Sequence, residues 1–153
     1  MLSTIRASLI YANDLQYGSV DTMDLKHLLT TAHIRVTPKR LTLLSALSRT
    51  RQPSSAEMLH ARVGEMDLVT IYRNLQEFRK AGIVREVRFK DGIARYELSH
   101  SHHHHLVCTA CGLIEELDVC EGTLEKKALQ HSRCFEAISE HALEFFGLCK
   151  KCA

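Results

Sequence analysis

The residue pattern predicts an α+β protein in two parts: short helices closing on a hairpin, then a small mixed α/β unit. Three features of the chain carry that reading. Apolar residues recur at helical spacing from residue 24 to about residue 81, then switch to alternation. The charge changes sign along the chain: residues 24–95 carry fourteen Lys/Arg against seven Asp/Glu, net +7, whereas residues 96–153 carry five against nine, net −4. All six cysteines follow residue 107, and seven of the ten histidines follow residue 95. The formal net charge of +2 conceals this division into a basic half and an acidic half rich in metal-ligand types.

A chain of 153 residues holds one domain or two small ones, which excludes a large catalytic barrel. With 45% apolar and 25% charged residues, wholesale disorder is excluded too. No basic-apolar-small secretory signal is visible, and no apolar run approaches the roughly 18 residues of a membrane span. The expected location is therefore cytoplasmic, with no membrane partner. Thiols stay reduced there, so clustered Cys and His point to metal rather than to a disulfide scaffold. Residues 1–22 fit neither half. They read as an N-terminal extension, either a disordered arm or a mis-called start with Met23 as the alternative. Residues 23–98 are expected to form the first domain and residues 99–153 the second.

Each element of the first part has its own signal. Leu25, Leu28, Leu29 and Ala32 give Asp24–His33 helical spacing. Thr37 followed by Pro38 is an N-cap followed by proline at the first helical position, and Leu41, Leu44 and Leu47 carry that helix to about Ser48. Arg49–Ser54 reads as a polar loop. Ser55 caps a third helix bearing Met58, Leu59 and Val63, which Gly64 ends. Asp67 caps a fourth helix, with Leu68, Ile71, Leu75 and Phe78 as its apolar stripe and Tyr72 at the stripe's edge. Its opposite face shows Thr70, Arg73 and Glu77, flanked by Val69 and Asn74. Gly82 stops it. Ile83–Phe89 and Ile93–Leu98 alternate as strands about a Lys90-Asp91-Gly92 turn.

Helices followed by a basic hairpin form a winged helix-turn-helix, whose last helix enters the major groove of double-stranded DNA. Positive charge lowers the cost of approaching phosphates, and short polar side chains and arginine read base edges.

Cys108-Thr109-Ala110-Cys111 and Cys149-Lys150-Lys151-Cys152 are two C-x₂-C pairs. Each supplies two vertices of a tetrahedron, so together they make a closed structural Zn²⁺ site with no position left for a substrate. The 37 residues between the pairs exceed what a compact zinc ribbon needs, so a folded unit lies between. Leu113–Leu117 is strand-like, Cys120–His131 is mainly helical with Leu124, Ala128 and Leu129 on one face, and Phe135–Gly147 carries alternating stretches. Such a unit, with open strand edges, pairs with a copy of itself. Cys120 and Cys134 read as buried small hydrophobes.

On a strand, the run His102-His103-His104-His105 sends alternate imidazoles to opposite faces. His102 and His104 share one side, His103 and His105 the other, enough to seed two metal sites. Donors for them are Glu97, His100, Glu116, Glu121, Glu125 and His141. Mixed imidazole and carboxylate sites suit Fe²⁺, Zn²⁺, Mn²⁺ or Ni²⁺.

The segments Val36–Arg40, Ser55-Ala56-Glu57, Thr70–Leu75, Ala81–Val84, His102–Gly112 and His141 through Cys149 occur in an order that resembles the ferric uptake regulator family of bacterial metal-sensing repressors, over about residues 24–152. The resemblance implies a winged-helix domain, an α/β dimerisation domain, a homodimer, and metal-dependent repression through AT-rich palindromic operators. By position, Tyr72 and Arg73 resemble groove-facing residues and Arg40 a backbone contact, with Thr70 and Asn74 beside them. Cys108, Cys111, Cys149 and Cys152 resemble the structural zinc site. Glu97, His103, His105 and Glu116 resemble the regulatory metal site. His102, His104, His141 and a helix glutamate, Glu121 or Glu125, resemble the second metal site. The chain departs from iron-sensing members in having Gln52-Pro53-Ser54 where many carry a loop histidine. It also has His104 where an aspartate is frequent. The effector stays open between Fe²⁺ and Zn²⁺, with Mn²⁺ as a substitute in vitro. The alternatives are a peroxide-sensing repressor of the same family and a zinc-dependent hydrolase. The closed Cys₄ site and the lack of an H-E-x-x-H pattern speak against an enzyme and against a small organic substrate.

Overall fold

The computed structural model describes residues 22–50, 52–99, 102–119, 123–139 and 141–153. The expected extension before Thr22 lies outside the described residues, as do His100, Cys120 and Glu121. The chain divides into two compact units, the first ending at Ser101 and the second running from His102 to Ala153. Among the described residues no helix is long and apolar enough to cross a membrane.

The first unit is a winged helix. It consists of α1 (Thr22–Thr31), α2 (Pro38–Ser48), β1 (Ser54–Ser55), α3 (Ala56–Val63), α4 (Leu68–Lys80), β2 (Val84–Arg88) and β3 (Ala94–Leu98). The caps read from the sequence are in place. Thr37 accepts from the Arg40 N–H, Ser55 from that of Met58 and Asp67 from that of Thr70, each satisfying an otherwise orphaned helix-end donor. Helix α4 ends where Gly82 turns to φ 73°. The Ile83 N–H then reaches the Phe78 carbonyl at 2.9 Å and the Gly82 N–H that of Arg79 at 3.0 Å. Leu29, Leu43, Leu44, Leu47, Leu59, Ile71, Leu75, Phe78, Val84 and Tyr96 form one core under the helices and the sheet.

The polar loop read over Arg49–Ser54 is a correction. Its end is a short strand, because Ser54 and Ser55 pair antiparallel with Tyr96 and Arg95 and complete a three-stranded sheet of order β1-β3-β2. Both serines are buried without leaving a polar group unsatisfied. The Ser54 hydroxyl donates to the Gln52 carbonyl at 3.3 Å and accepts from Arg62 at 2.9 Å, while the Ser55 hydroxyl caps α3. At the wing tip Asp91 accepts both Arg95 guanidinium nitrogens, at 2.9 and 2.6 Å, and the Ile93 N–H at 3.0 Å. Those bonds, Arg95 first, hold the Asp91 carboxyl down to about 2.

The second unit holds β4 (His104–Cys108), β5 (Ile114–Leu117), α5 (Thr123–His131) and β6 (Glu144–Gly147). Central β4 runs antiparallel to β5 and parallel to β6. Two expectations are corrected here, and the exposure of α5 is a further finding. Among the described residues of Phe135–Gly147, the alternation yields a strand only at Glu144–Gly147. Among the described residues nothing fully covers the apolar face of α5: Leu129 is half-buried and Leu124 is 50% exposed. Cys134 is exposed rather than in a core. The common reason is size: this unit buries only Val107, Cys108 and Ile114 as hydrophobics among the described residues, too little to enclose a helix.

Candidate metal centres and nucleic-acid face

The four paired cysteines meet because of the sheet. Parallel pairing sets Cys108, at the end of β4, opposite Gly147 at the end of β6, which delivers Cys149 two residues later. The Cys149 N–H donates to Cys108 Sγ at 3.3 Å. The β4–β5 turn closes with the Gly112 N–H on the Cys108 carbonyl, 2.9 Å, and brings in Cys111. All four sulfurs lie within 4.8 Å of one another, with Cys111 and Cys149 Sγ 3.7 Å apart. A tetrahedral Zn²⁺ with Zn–S of about 2.3 Å needs sulfurs about 3.8 Å apart, so the group fits. Backbone N–H groups of Cys149, Cys111 and Ala110 hold the Cys108 thiol down to about 6. The neighbouring sulfurs, Cys149 first, push Cys152 up to about 12. The cluster thus starts to ionise easily and cannot finish without a cation.

The histidine run sorts by face. His102 Nε2 lies 3.0 Å from His141 Nε2, which lies 3.3 Å from His104 Nε2. Ligand nitrogens about 2.05 Å from a tetrahedral metal stand about 3.3 Å apart, so these three fit one cation. His141 Nδ1 is 2.7 Å from Glu125 Oε1, the carboxylate–imidazole arrangement that orients a ligand ring. Among the described residues, buried His104 Nδ1 and Glu125 Oε2 have no hydrogen-bond partner. Burial, reinforced by the neighbouring histidines, lowers the His104 pKa and favours the neutral, metal-binding ring.

His103 and His105 take the other side. His105 is registered opposite Glu116, and His103 Nε2 lies 3.4 Å from Glu116 Oε1. Their donor atoms lie within 4.8 Å of one another. Burial, then the nearby Asp118 charge, pushes the Glu116 carboxyl up to about 7, a cost that a bound cation offsets. Glu97 belongs to the first unit, on β3, where Arg85 donates to its Oε1.

On α4 the sequence-predicted DNA residues separate into two sets. Tyr72 and Arg73 are exposed, and the Tyr72 hydroxyl donates to Glu57 Oε1 at 2.7 Å. Thr70 is drawn back to the helix cap, its hydroxyl donating to Asp67 Oδ2 at 2.7 Å. Asn74 is buried. Its Oδ1 accepts from Arg40 Nε at 3.1 Å and its Nδ2 donates to the Thr70 carbonyl at 2.8 Å. Arg40 also bonds Glu77 and donates to the Arg35 carbonyl at 2.7 Å. The structure therefore places Arg40 and Asn74 in a network that ties α2 to α4, rather than on the open face.

A profile of the ferric uptake regulator family matches residues 31–146. The chain belongs to that family. Members of the ferric uptake regulator family are metal-responsive transcriptional repressors that bind DNA and act as dimers. The chain is 29% identical over 125 residues to the peroxide-responsive repressor PerR of Staphylococcus aureus, across 79% of this chain and 84% of the relative. It resembles the solved structure of the Vibrio cholerae ferric uptake regulator at 35% identity and TM-score 0.69, over 81% of this chain and 98% of that one. It also resembles the Pseudomonas aeruginosa regulator solved with manganese, at 30% identity and TM-score 0.64, over 83% and 98%.

Within this ferric uptake regulator fold, sequence reasoning passed over Glu57 as the partner of Tyr72 and Glu77 as the partner of Arg40. The signal for Glu77 was present: it lies three residues after Asn74, on one helix face. Nothing local marks Glu57 as the partner of Tyr72, fifteen residues away on another helix.

Proposed function

We propose that this chain is a cytoplasmic, homodimeric repressor whose operator binding is switched on by a divalent metal at His103, His105 and Glu116. Structural Zn²⁺ sits at Cys108, Cys111, Cys149 and Cys152. The observation that carries the reading is the sorting of four consecutive histidines into two clusters of different composition beside a closed Cys₄ group. Glu97 joins the regulatory set on the family resemblance, and His102, His104 and His141 form the second site. Glu125 orients His141 there, and Glu121 is its alternative by resemblance. Tyr72 and Arg73 face the operator, with Arg40, Thr70 and Asn74 supporting α4. The metal acts as a ligand that favours one of two domain arrangements, and about 1–3 kcal/mol of coupling suffices. Imidazole and carboxylate donors suit Fe²⁺ or Zn²⁺ as effector, with Mn²⁺ as substitute. The Gln52-Pro53-Ser54 segment supplies no imidazole to this site. No catalytic role is assigned.

The test is binding to an AT-rich palindromic DNA titrated separately with Fe²⁺, Mn²⁺ and Zn²⁺, with bound metal counted per protomer. One tightly held zinc and a metal-induced gain in affinity are expected. Equal binding with and without metal contradicts the reading. A second reading, peroxide response, is favoured by the likeness to the S. aureus repressor. Under it, peroxide treatment of the Fe²⁺ form adds one oxygen atom to a histidine of the regulatory set, seen by mass spectrometry, and abolishes DNA binding.

A further inference from the structure

Two exposed side chains meet across the helix-turn-helix. Glu57 stands in the first turn of α3 and Tyr72 on α4, and the phenol donates to the carboxylate at 2.7 Å. An exposed pair of this kind has no core to fix it, and each group has water as an alternative partner. Yet the bond links α3 to α4, the proposed recognition helix, and it involves one of the exposed residues of α4. The carboxylate is also a formal negative charge beside Tyr72, on the face proposed to meet the operator. The Tyr72 hydrogen bond lowers the Glu57 pKa, which keeps that charge present, and Glu57 in turn raises the Tyr72 pKa, which keeps the phenol a donor.

We infer that Glu57 is a positioning and specificity residue: it aims the Tyr72 phenol, and its charge weakens binding to DNA that the aimed phenol does not fit. Specificity is a difference of affinities, and a repulsive group that penalises the wrong partner raises it as effectively as a new contact to the right one. On random DNA the carboxylate repels phosphates with nothing to offset it. On the operator the aimed phenol and Arg73 supply the offset. This rests on the proposed operator binding by α4.

The experiment measures affinity for operator and for random duplex at one salt concentration, metal-loaded, for the full chain and its E57Q, E57A, Y72F and double variants. The glutamine substitution keeps an acceptor for the phenol and removes the charge, while the alanine substitution removes both. E57Q is expected to tighten random-DNA binding about two- to fivefold, as loss of one surface charge does, and to change operator binding less. E57A is expected to lower the operator-to-random ratio further than E57Q. In the Y72F background, where no hydroxyl remains to be aimed, E57A and E57Q should become equal. An unchanged ratio in E57Q, or an E57A–E57Q difference that persists in the Y72F background, overturns the inference. Thermal unfolding of each variant separates these outcomes from loss of fold. If the unsubstituted chain itself shows no preference for operator over random DNA, the failure lies in the proposed function instead, and the two failures are told apart in one data set.

Discussion

Asn74 and Arg73 are neighbours on α4 and face opposite fates. Arg73 is exposed, and among the described residues no side-chain partner engages it. Arg73→Ala is expected to weaken operator binding more than random-DNA binding, as a base-reading arginine does. Equal losses on both would assign Arg73 to phosphate contact. Asn74 is buried between Arg40 and the Thr70 carbonyl. Its removal leaves Arg40 Nε without its acceptor, so Asn74→Ala should cost about 1–3 kcal/mol in denaturant unfolding. It should reduce operator and random binding in the same ratio. A selective loss on operator, with stability intact, would return Asn74 to the groove. Helical spacing already separates these two residues, since Asn74 falls with Ile71, Leu75 and Phe78 on the buried face while Arg73 falls opposite. What the spacing does not show is the partner that satisfies a buried amide. That is a tertiary fact, and Arg40, 34 residues earlier, supplies it.

At the scale of elements, most of the first unit was legible because its boundaries are written in local chemistry. Thr37-Pro38, Ser55 and Asp67 satisfy the N-terminal donors of their helices, and Gly64 and Gly82 stop them. Ser54 misled because a buried strand residue with a serine side chain resembles a loop until its partners are known. The end of α1 carries a signal that composition hides. His33 adopts φ 55°, and its N–H bonds the Thr30 carbonyl at 3.0 Å, while that of Ile34 bonds Leu29 at 2.8 Å. This is the glycine-type helix stop occupied by a residue with a Cβ. Since His33 is exposed, His33→Gly should stabilise the first unit by up to about 1 kcal/mol, read as a shift in thermal or denaturant midpoint. An unchanged or lower midpoint would show that the imidazole contributes more than the left-handed backbone costs. In the second unit the helix and strand positions were partly legible, but their burial was not. The apolar residues of α5 obey helical spacing whether or not anything covers them.

For the whole molecule, the division between the two halves matters more than any single element. The first unit has a continuous core of its own, whereas the second buries few hydrophobic side chains and gathers four thiols instead. Metal held at the proposed Cys₄ site would therefore supply folding energy to the second unit. Chelation, or Cys149→Ser, is expected to strip amide protection from β4, β5 and β6 while the α2–α4 core keeps its own. Hydrogen exchange checks this, and retained protection in β4 without metal would contradict it. The candidate ligands were legible because C-x₂-C pairs and a histidine run on a strand carry their geometry in their spacing. Which glutamate serves which cluster depends on register. His105 opposite Glu116 and His141 against Glu125 emerge only once β4 has its neighbours. The proposed switch for DNA binding is the His103/His105 face and not the Cys₄ group. Operator affinity of His103→Ala/His105→Ala, with and without added effector metal and alongside a zinc count, separates the two. The expected result is a folded dimer that keeps its Cys₄ zinc and loses the metal-induced gain, roughly 5- to 150-fold in affinity. A variant that still gains full operator affinity on metal addition would place the switch elsewhere.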